Sequence, residues 1–100
     1  MNKRDSHGYW VMSAPVISDG HLTEKVATEL VHVLPGEDFH GTAVMIGSHG
    51  ALVSCNEPET LSQTAPECLR KSLEWASGQG FEWVRFDEDG DIIEGLEMHQ

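Results

Sequence analysis

Apolar residues recur at helical spacing in two regions of the chain. In the first region, the spacing predicts a helix over residues 21–34. The apolar positions of this helix are Leu22, Val26, Leu30 and Val33. Ser18 or Asp19 can cap its start, and the Pro35-Gly36 pair ends it.

The second helix is predicted to begin at Thr64. The Thr64 hydroxyl and the Glu67 carboxylate have the three-residue spacing of a capping box. Pro66 suits the first turn, where a backbone N–H has no partner within the helix. Its buried stripe is Leu69, Leu73 and Ala76.

Other segments are rich in β-branched and aromatic residues and are predicted to be strands. They are residues 9–17, 41–48, 51–55, 81–87 and 91–96. The second and third of these are joined at Ser48-His49-Gly50, which predicts a hairpin. Pro15 interrupts the first of them, which implies a bulge or a strand end there. The last two flank Asp89-Gly90, a favoured centre for a two-residue hairpin turn.

The predicted order of elements is β-α-β-β-α-β-β, which is typical of an α+β protein. The first six elements have the order of the ferredoxin-like (split βαβ) fold, with two helices on one face of an antiparallel sheet. Right-handed crossovers then favour the spatial strand order 5-4-1-3-2, with the last strand added by the C-terminal hairpin. We expect residues 1–8 to be a flexible tail and residues 9–98 to form a single domain.

Charge narrows the classes of function. The formal net charge is −11 at pH 7, and seven acidic residues lie between positions 82 and 97. Nucleic acids and anionic bilayers are bound mainly through Lys and Arg, so neither is an expected partner. The charge favours a basic protein surface as the partner, although the acidic residues can equally be a solvated face that promotes solubility.

The two cysteines, Cys55 and Cys68, do not form a CxxC motif, and we recognise no secretory leader and no apolar segment of membrane-spanning length. We therefore expect a cytoplasmic protein with reduced thiols.

The sequence does not indicate a metal, a cofactor or an enzyme. Residues 87–92 resemble part of a calcium loop, but Arg85 and Leu96 occupy the positions where such a loop needs carboxylates. The six histidines show no HxH or HxxxH spacing. Ser48-His49 does not form a nucleophile elbow, although His49 or His21 beside a carboxylate is a possible minor enzyme site.

Two parts of the chain resemble an uncharacterised small-domain family encoded on bacterial plasmids and integrative elements. The matching residues are Ser18 and His21-Leu22-Thr23-Glu24, then Trp83-Val84-Arg85-Phe86-Asp87 with Asp89, and Glu94-Gly95-Leu96. The chain departs from the family after Leu96, where the family continues to a Pro, an aromatic residue and a final Trp. The resemblance implies a mobile-element passenger, a class in which small acidic proteins block host defence by occupying nucleic-acid-binding surfaces.

Together these observations favour a non-enzymatic acidic inhibitor that docks a basic surface of a nucleic-acid-handling complex, of anti-CRISPR or anti-restriction type. The alternative is a small-ligand-binding or regulatory domain whose pocket lies between sheet and helices. Trp75, at the margin of the second helix, is the expected aromatic anchor. The predicted partner-binding residues are Glu82, Asp87, Glu88, Asp89, Asp91, Glu94 and Trp75.

Overall fold

Two helices and a four-stranded mixed sheet form the body of the protein, which confirms the α+β class. The structure, a computed structural model, describes residues 3–4, 6–48, 50–55 and 61–100, with all of their side chains except those of Lys3, Trp10 and Val11. None of the helices in these ranges is long and apolar enough to cross a membrane.

The strands belong to two sheets. A short antiparallel ribbon pairs β1 (Lys3–Arg4) with β2 (Trp10–Val11). The main sheet contains β3 (Val16–Ser18), β4 (Val44–Gly47), β5 (Gly50–Ser54) and β6 (Trp83–Asp87). Its order is β3-β6-β5-β4. The predicted first strand is therefore divided before Pro15 between the ribbon and the main sheet.

The predicted ferredoxin-like order is matched only in part: β3 lies beside β6 and β4 beside β5 as predicted, but β3 does not lie between β5 and β6. That order requires antiparallel neighbours throughout, with the first strand between the third and fourth. In the structure β6 is central: it pairs in parallel with β3 and antiparallel with β5. Gly50 permits the close approach of β5 to β6, because a Cβ at Gly50 would lie 2.2 Å from the Phe86 carbonyl oxygen. Its φ of +115° is also unfavourable for other residues. The predicted hairpin of residues 41–48 and 51–55 is confirmed as β4 and β5.

The predicted C-terminal hairpin strand is also wrong. Gly90 is not among the glycines with positive φ, as a two-residue hairpin turn would require. Instead, Asp87 and Gly90 are the first and last residues of a turn, in which the Gly90 N–H donates to the Asp87 carbonyl at 3.1 Å. Both sides of β6 are already occupied, so the chain crosses to β3, where Asp91 makes a parallel bridge with Ile17.

The first helical region is divided into two. Ser18 caps a 3-10 turn, Asp19–His21, by accepting from the Gly20 N–H. Thr23 then caps α1 (Glu24–Val31) by accepting from the Val26 N–H at 3.3 Å. The helix is shorter than predicted because this second cap begins it at Glu24.

Helix α2 spans Glu67–Gly78 and begins three residues after the predicted cap. Thr64 forms a hydrogen bond with Ser62 rather than with the helix. Ala65 precedes Pro66 and is therefore disfavoured in helical conformation, which prevents the helix from starting earlier. The predicted stripe is confirmed as buried: Leu69, Leu73 and Ala76.

One face of the main sheet packs on both helices. Alternate residues of β5 and β6 are buried there, while their neighbours are partly exposed. The buried residues of these strands are Ala51, Val53, Val84 and Phe86. They form one core cluster with Val26 and Leu30 of α1 and Leu69 and Leu73 of α2.

Candidate functional site

A groove of about 290 Å³ lies between α1 and the end of the main sheet where β6 stops. Its inner wall is apolar and includes four buried side chains: Leu22, Leu30, Ala51 and Phe86. Its rim carries four carboxylates: Asp19, Asp87, Glu88 and Asp89. We call this feature the acidic groove.

Parallel pairing of β3 and β6 brings the carboxylates together. Ser18 and Asp87 are register partners at the ends of these two strands. The chain therefore leaves both strands at the same end of the sheet, where Asp19 follows β3 and Glu88 follows β6.

Asp87 shapes the rim. One of its carboxylate oxygens pairs with Nη2 of Arg85 at 2.8 Å, and the other accepts from the Asp89 N–H at 2.9 Å. Because both oxygens are engaged and the side chain is only 17% exposed, Asp87 orients the turn more than it offers a free charge.

The other three carboxylates are more available. Glu88 and Asp89 are exposed and Asp19 is half-buried. Within the described ranges, no basic side chain forms an ion pair with any of the three. Three uncompensated carboxylates beside an apolar wall make a site suited to an organic cation.

The predicted partner-binding residues do not all meet at this site. Asp87, Glu88 and Asp89 do. Glu82 precedes β6 and so lies at the opposite end of that strand, about 20 Å from Glu88 at 3.3 Å per residue. Trp75 is near that far end, half-buried against the core in the last turns of α2.

Asp91 and Glu94 belong to the C-terminal segment, residues 91–100. Both are exposed, but neither lines the acidic groove. Asp91 contributes backbone to the bridge with β3, accepting from the Ser18 N–H at 2.8 Å and donating to the Val16 carbonyl at 3.0 Å.

His21 is a structural residue in this fold. It is 1% exposed, its Nε2 accepts from the Ile93 N–H at 2.9 Å, and its Nδ1 lies 3.1 Å from the Glu97 carbonyl oxygen. An acceptor at Nε2 leaves the proton of the neutral ring on Nδ1, which donates to Glu97. The ring therefore attaches the C-terminal segment to the 3-10 turn.

The remaining candidate groups are the cysteines and the histidines. Burial, as the main cause, raises the pKa of the Cys55 thiol to about 11, so this thiol is a poor nucleophile. Among the described residues, no group of three or more His, Cys, Asp or Glu side chains is placed to hold a metal ion. His49, one of the two histidines considered for catalysis, lies outside the described residues.

Asp19 is the rim residue that sequence reasoning missed as a site residue. It was expected only as a helix cap, and it is 68 positions from Asp87 in the chain (87 − 19). No local motif signals its role, because the parallel contact between β3 and β6 creates the juxtaposition.

The fold and the site define a small acidic α+β domain with a carboxylate-rimmed groove at one end of a mixed sheet. Residues 14–100 match a family of unknown function, the DUF5983 C-terminal domain, so the chain belongs to that family. No curated protein and no solved structure matches the chain. The expectation of an uncharacterised small-domain family is confirmed at this level.

Proposed function

We propose that this protein is a non-enzymatic binding module that docks a basic protein surface onto the acidic groove. The observation that carries the proposal is the combination of an apolar wall with three uncompensated carboxylates, Asp19, Glu88 and Asp89. A lysine or arginine side chain of the partner enters the groove.

The two parts of the groove suit the two parts of such a side chain. Long basic side chains bury their methylene stems against apolar surface while the charged head stays at the rim. Leu30 and Phe86 supply that surface, and Glu88 or Asp89 accepts charge-assisted hydrogen bonds from the head. A groove of this shape therefore selects basic residues over small inorganic cations.

The charge of the whole chain supports the same class of partner. A net charge of −11 accelerates encounter with a positive surface and opposes encounter with phosphate backbones. Binding through the groove is therefore fast and weakened by salt.

The finer proposal is that the partner is a nucleic-acid-handling complex of a host defence system, which this cytoplasmic protein inhibits as an anti-CRISPR or anti-restriction factor encoded on a mobile element. A surface that binds DNA or RNA presents clustered Lys and Arg, the groups that the acidic groove accepts. The resemblance to proteins encoded on plasmids and integrative elements supports this context.

Peptide binding tests the groove. A decapeptide that alternates lysine with leucine is titrated into the protein at low salt and at 0.5 M salt, with the Glu88→Lys/Asp89→Lys double variant beside it. We expect micromolar binding at low salt that weakens at least about tenfold in the double variant, a loss of about 1.4 kcal/mol.

Glu94→Lys/Glu97→Lys is the matched control, because it makes the same change in net charge on the exposed C-terminal segment, outside the groove. An equal loss in both double variants would mean that net charge alone attracts the peptide, and the proposed site would be wrong.

A small organic cation is the second candidate ligand, because a groove of about 290 Å³ approaches the lower limit of small-molecule sites. Under this alternative the protein is a ligand-binding or regulatory domain. Its melting temperature then rises with a diamine or polyamine at low salt. Salt screens these charge pairs as well, so the two functions are separated by the ligand: the diamine binds and the lysine–leucine peptide does not.

A further inference from the structure

The two edges of the main sheet differ. Along β3, the C-terminal segment covers the edge through the hydrogen bonds of Asp91. Along β4, the opposite edge, no strand from the described part of the chain pairs with the outer side. Such an edge is a template for pairing with another strand.

The pattern of hydrogen bonds shows which groups this edge presents. Ser54 N–H donates to the Ala43 carbonyl at 2.9 Å, so Ala43 and Ser54 are a hydrogen-bonded pair of the β4–β5 ladder. Hydrogen-bonded pairs alternate along an antiparallel ladder, so Met45 with Leu52 is the next such pair. The N–H and C=O groups of Val44 and Ile46 therefore point away from β5, toward the open edge.

The edge strand carries no charged residue, and two of its apolar side chains are exposed. Met45 and Ile46 are 47% and 43% exposed. No Asp, Glu, Lys or Arg occurs in residues 39–56, although 23% of the chain is charged. Arg85, which lies beside Met45 on the outer face of the sheet, is paired with Asp87.

From these observations we infer that β4 is a homodimer interface, at which two copies of the chain join their sheets edge to edge in antiparallel register. Val44 of each copy pairs with Ile46 of the other, which gives four backbone hydrogen bonds about a two-fold axis. Met45 meets its own counterpart on the axis.

The charge of the chain favours this edge as the place where a second copy can approach. Two molecules of charge −11 repel each other, and they approach at least electrostatic cost along β4, where none of the described residues lining the outer face is a carboxylate. A strand centred on Met45 is also self-complementary about a two-fold axis. The carboxylates of the acidic groove take no part, so this inference does not depend on the proposed function.

Sedimentation equilibrium from about 1 to 500 µM tests the interface. We expect the mass to rise from 11.1 kDa toward twice that value, and the dimer to strengthen with salt because salt screens the repulsion. Salt thus acts in the opposite direction from its effect on docking of a basic partner.

Met45→Glu places two like charges opposite each other on the axis, and we expect it to weaken the dimer by about tenfold or more. Ile92→Glu is the control, since Ile92 is 70% exposed and remote from β4 in the sheet order. Its dimer dissociation constant should stay within about twofold of the wild-type value.

Ile46→Pro removes an outward-pointing N–H without breaking the ladder to β5. This protein should be folded by circular dichroism and monomeric by sedimentation equilibrium. A mass of 11.1 kDa at every concentration and salt would overturn the inference. So would a dimer that folded Met45→Glu and Ile46→Pro proteins form as well as the wild type.

Discussion

At the scale of single residues, the His21 side chain attaches the C-terminal segment to the 3-10 turn through two hydrogen bonds. Its ring is buried and satisfies the N–H of Ile93 and the carbonyl of Glu97. We predict that His21→Phe, which keeps a ring but leaves both backbone groups unsatisfied, lowers the free energy of unfolding by about 2–4 kcal/mol. Urea denaturation measures the loss.

His32→Ala is the control, because His32 is exposed and bonds only within α1's last turn, to the Thr28 carbonyl. It should change stability by no more than about 0.5 kcal/mol. Equal effects of the two substitutions would show that the His21 contacts contribute nothing specific.

Cys55 makes stability depend on alkaline pH. Burial raises the pKa of its thiol from 9.0 to about 11, so the folded state disfavours the thiolate. This contribution is complete below pH 9 and is lost as the pH rises toward 11. We predict that urea denaturation shows a steeper loss of stability between pH 8.5 and 10.5 in the wild type than in Cys55→Ala.

Cys68→Ala keeps Cys55 and should retain the wild-type pH dependence. The assignment to Cys55 fails if removing either cysteine flattens the pH dependence equally.

At the scale of elements, Gly90 fixes the path of the chain after β6. A Cβ at position 90 would lie 2.3 Å from the Ile17 carbonyl carbon and 2.7 Å from the Ser18 nitrogen. Both are backbone atoms, which cannot move as a side chain can. We predict that Gly90→Ala destabilises the protein by about 1–3 kcal/mol or more, measured as a fall in urea midpoint.

Gly78→Ala is the matched control at the end of α2, where a Cβ meets no atom within 4 Å. It should stabilise by up to about 1 kcal/mol through helix propensity. If Gly90→Ala were also neutral or stabilising, close packing between the turn and β3 would not determine the chain path.

Local patterns predicted the elements better than their pairing. Helical spacing identified the buried face of α2, and two β-rich segments joined by a short connection identified the β4–β5 hairpin, because each depends on neighbours in sequence. The Asp89-Gly90 pair was misleading, since the same residues also suit a turn that starts at Asp87.

The acidic groove was predictable only in part, for the same reason. Asp87, Glu88 and Asp89 adjoin in sequence and were expected as a unit. Asp19 joins them through strand pairing between distant segments, whereas the extended length of β6 separates Glu82 from them. The number of acidic residues between positions 82 and 97 therefore shows neither that Asp19 joins the rim nor that Glu82 lies away from it.

At the scale of the whole molecule, charge is unevenly distributed. One end carries the carboxylate rim, while residues 39–56 carry no formal charge. Under the two proposals above, one small domain uses two surfaces with opposite responses to salt: the acidic groove for basic side chains and the β4 edge for a second copy.

The most direct test of the groove is a two-dimensional ¹H–¹⁵N NMR titration with the lysine–leucine peptide. We predict saturable shifts of the backbone amides of Asp19, Gly50, Glu88 and Asp89, with the amides of Trp75 and Glu82 unchanged at the far end of β6. Shifts centred on Trp75 and Glu82, or small shifts spread over every acidic residue without saturation, would contradict binding in the groove.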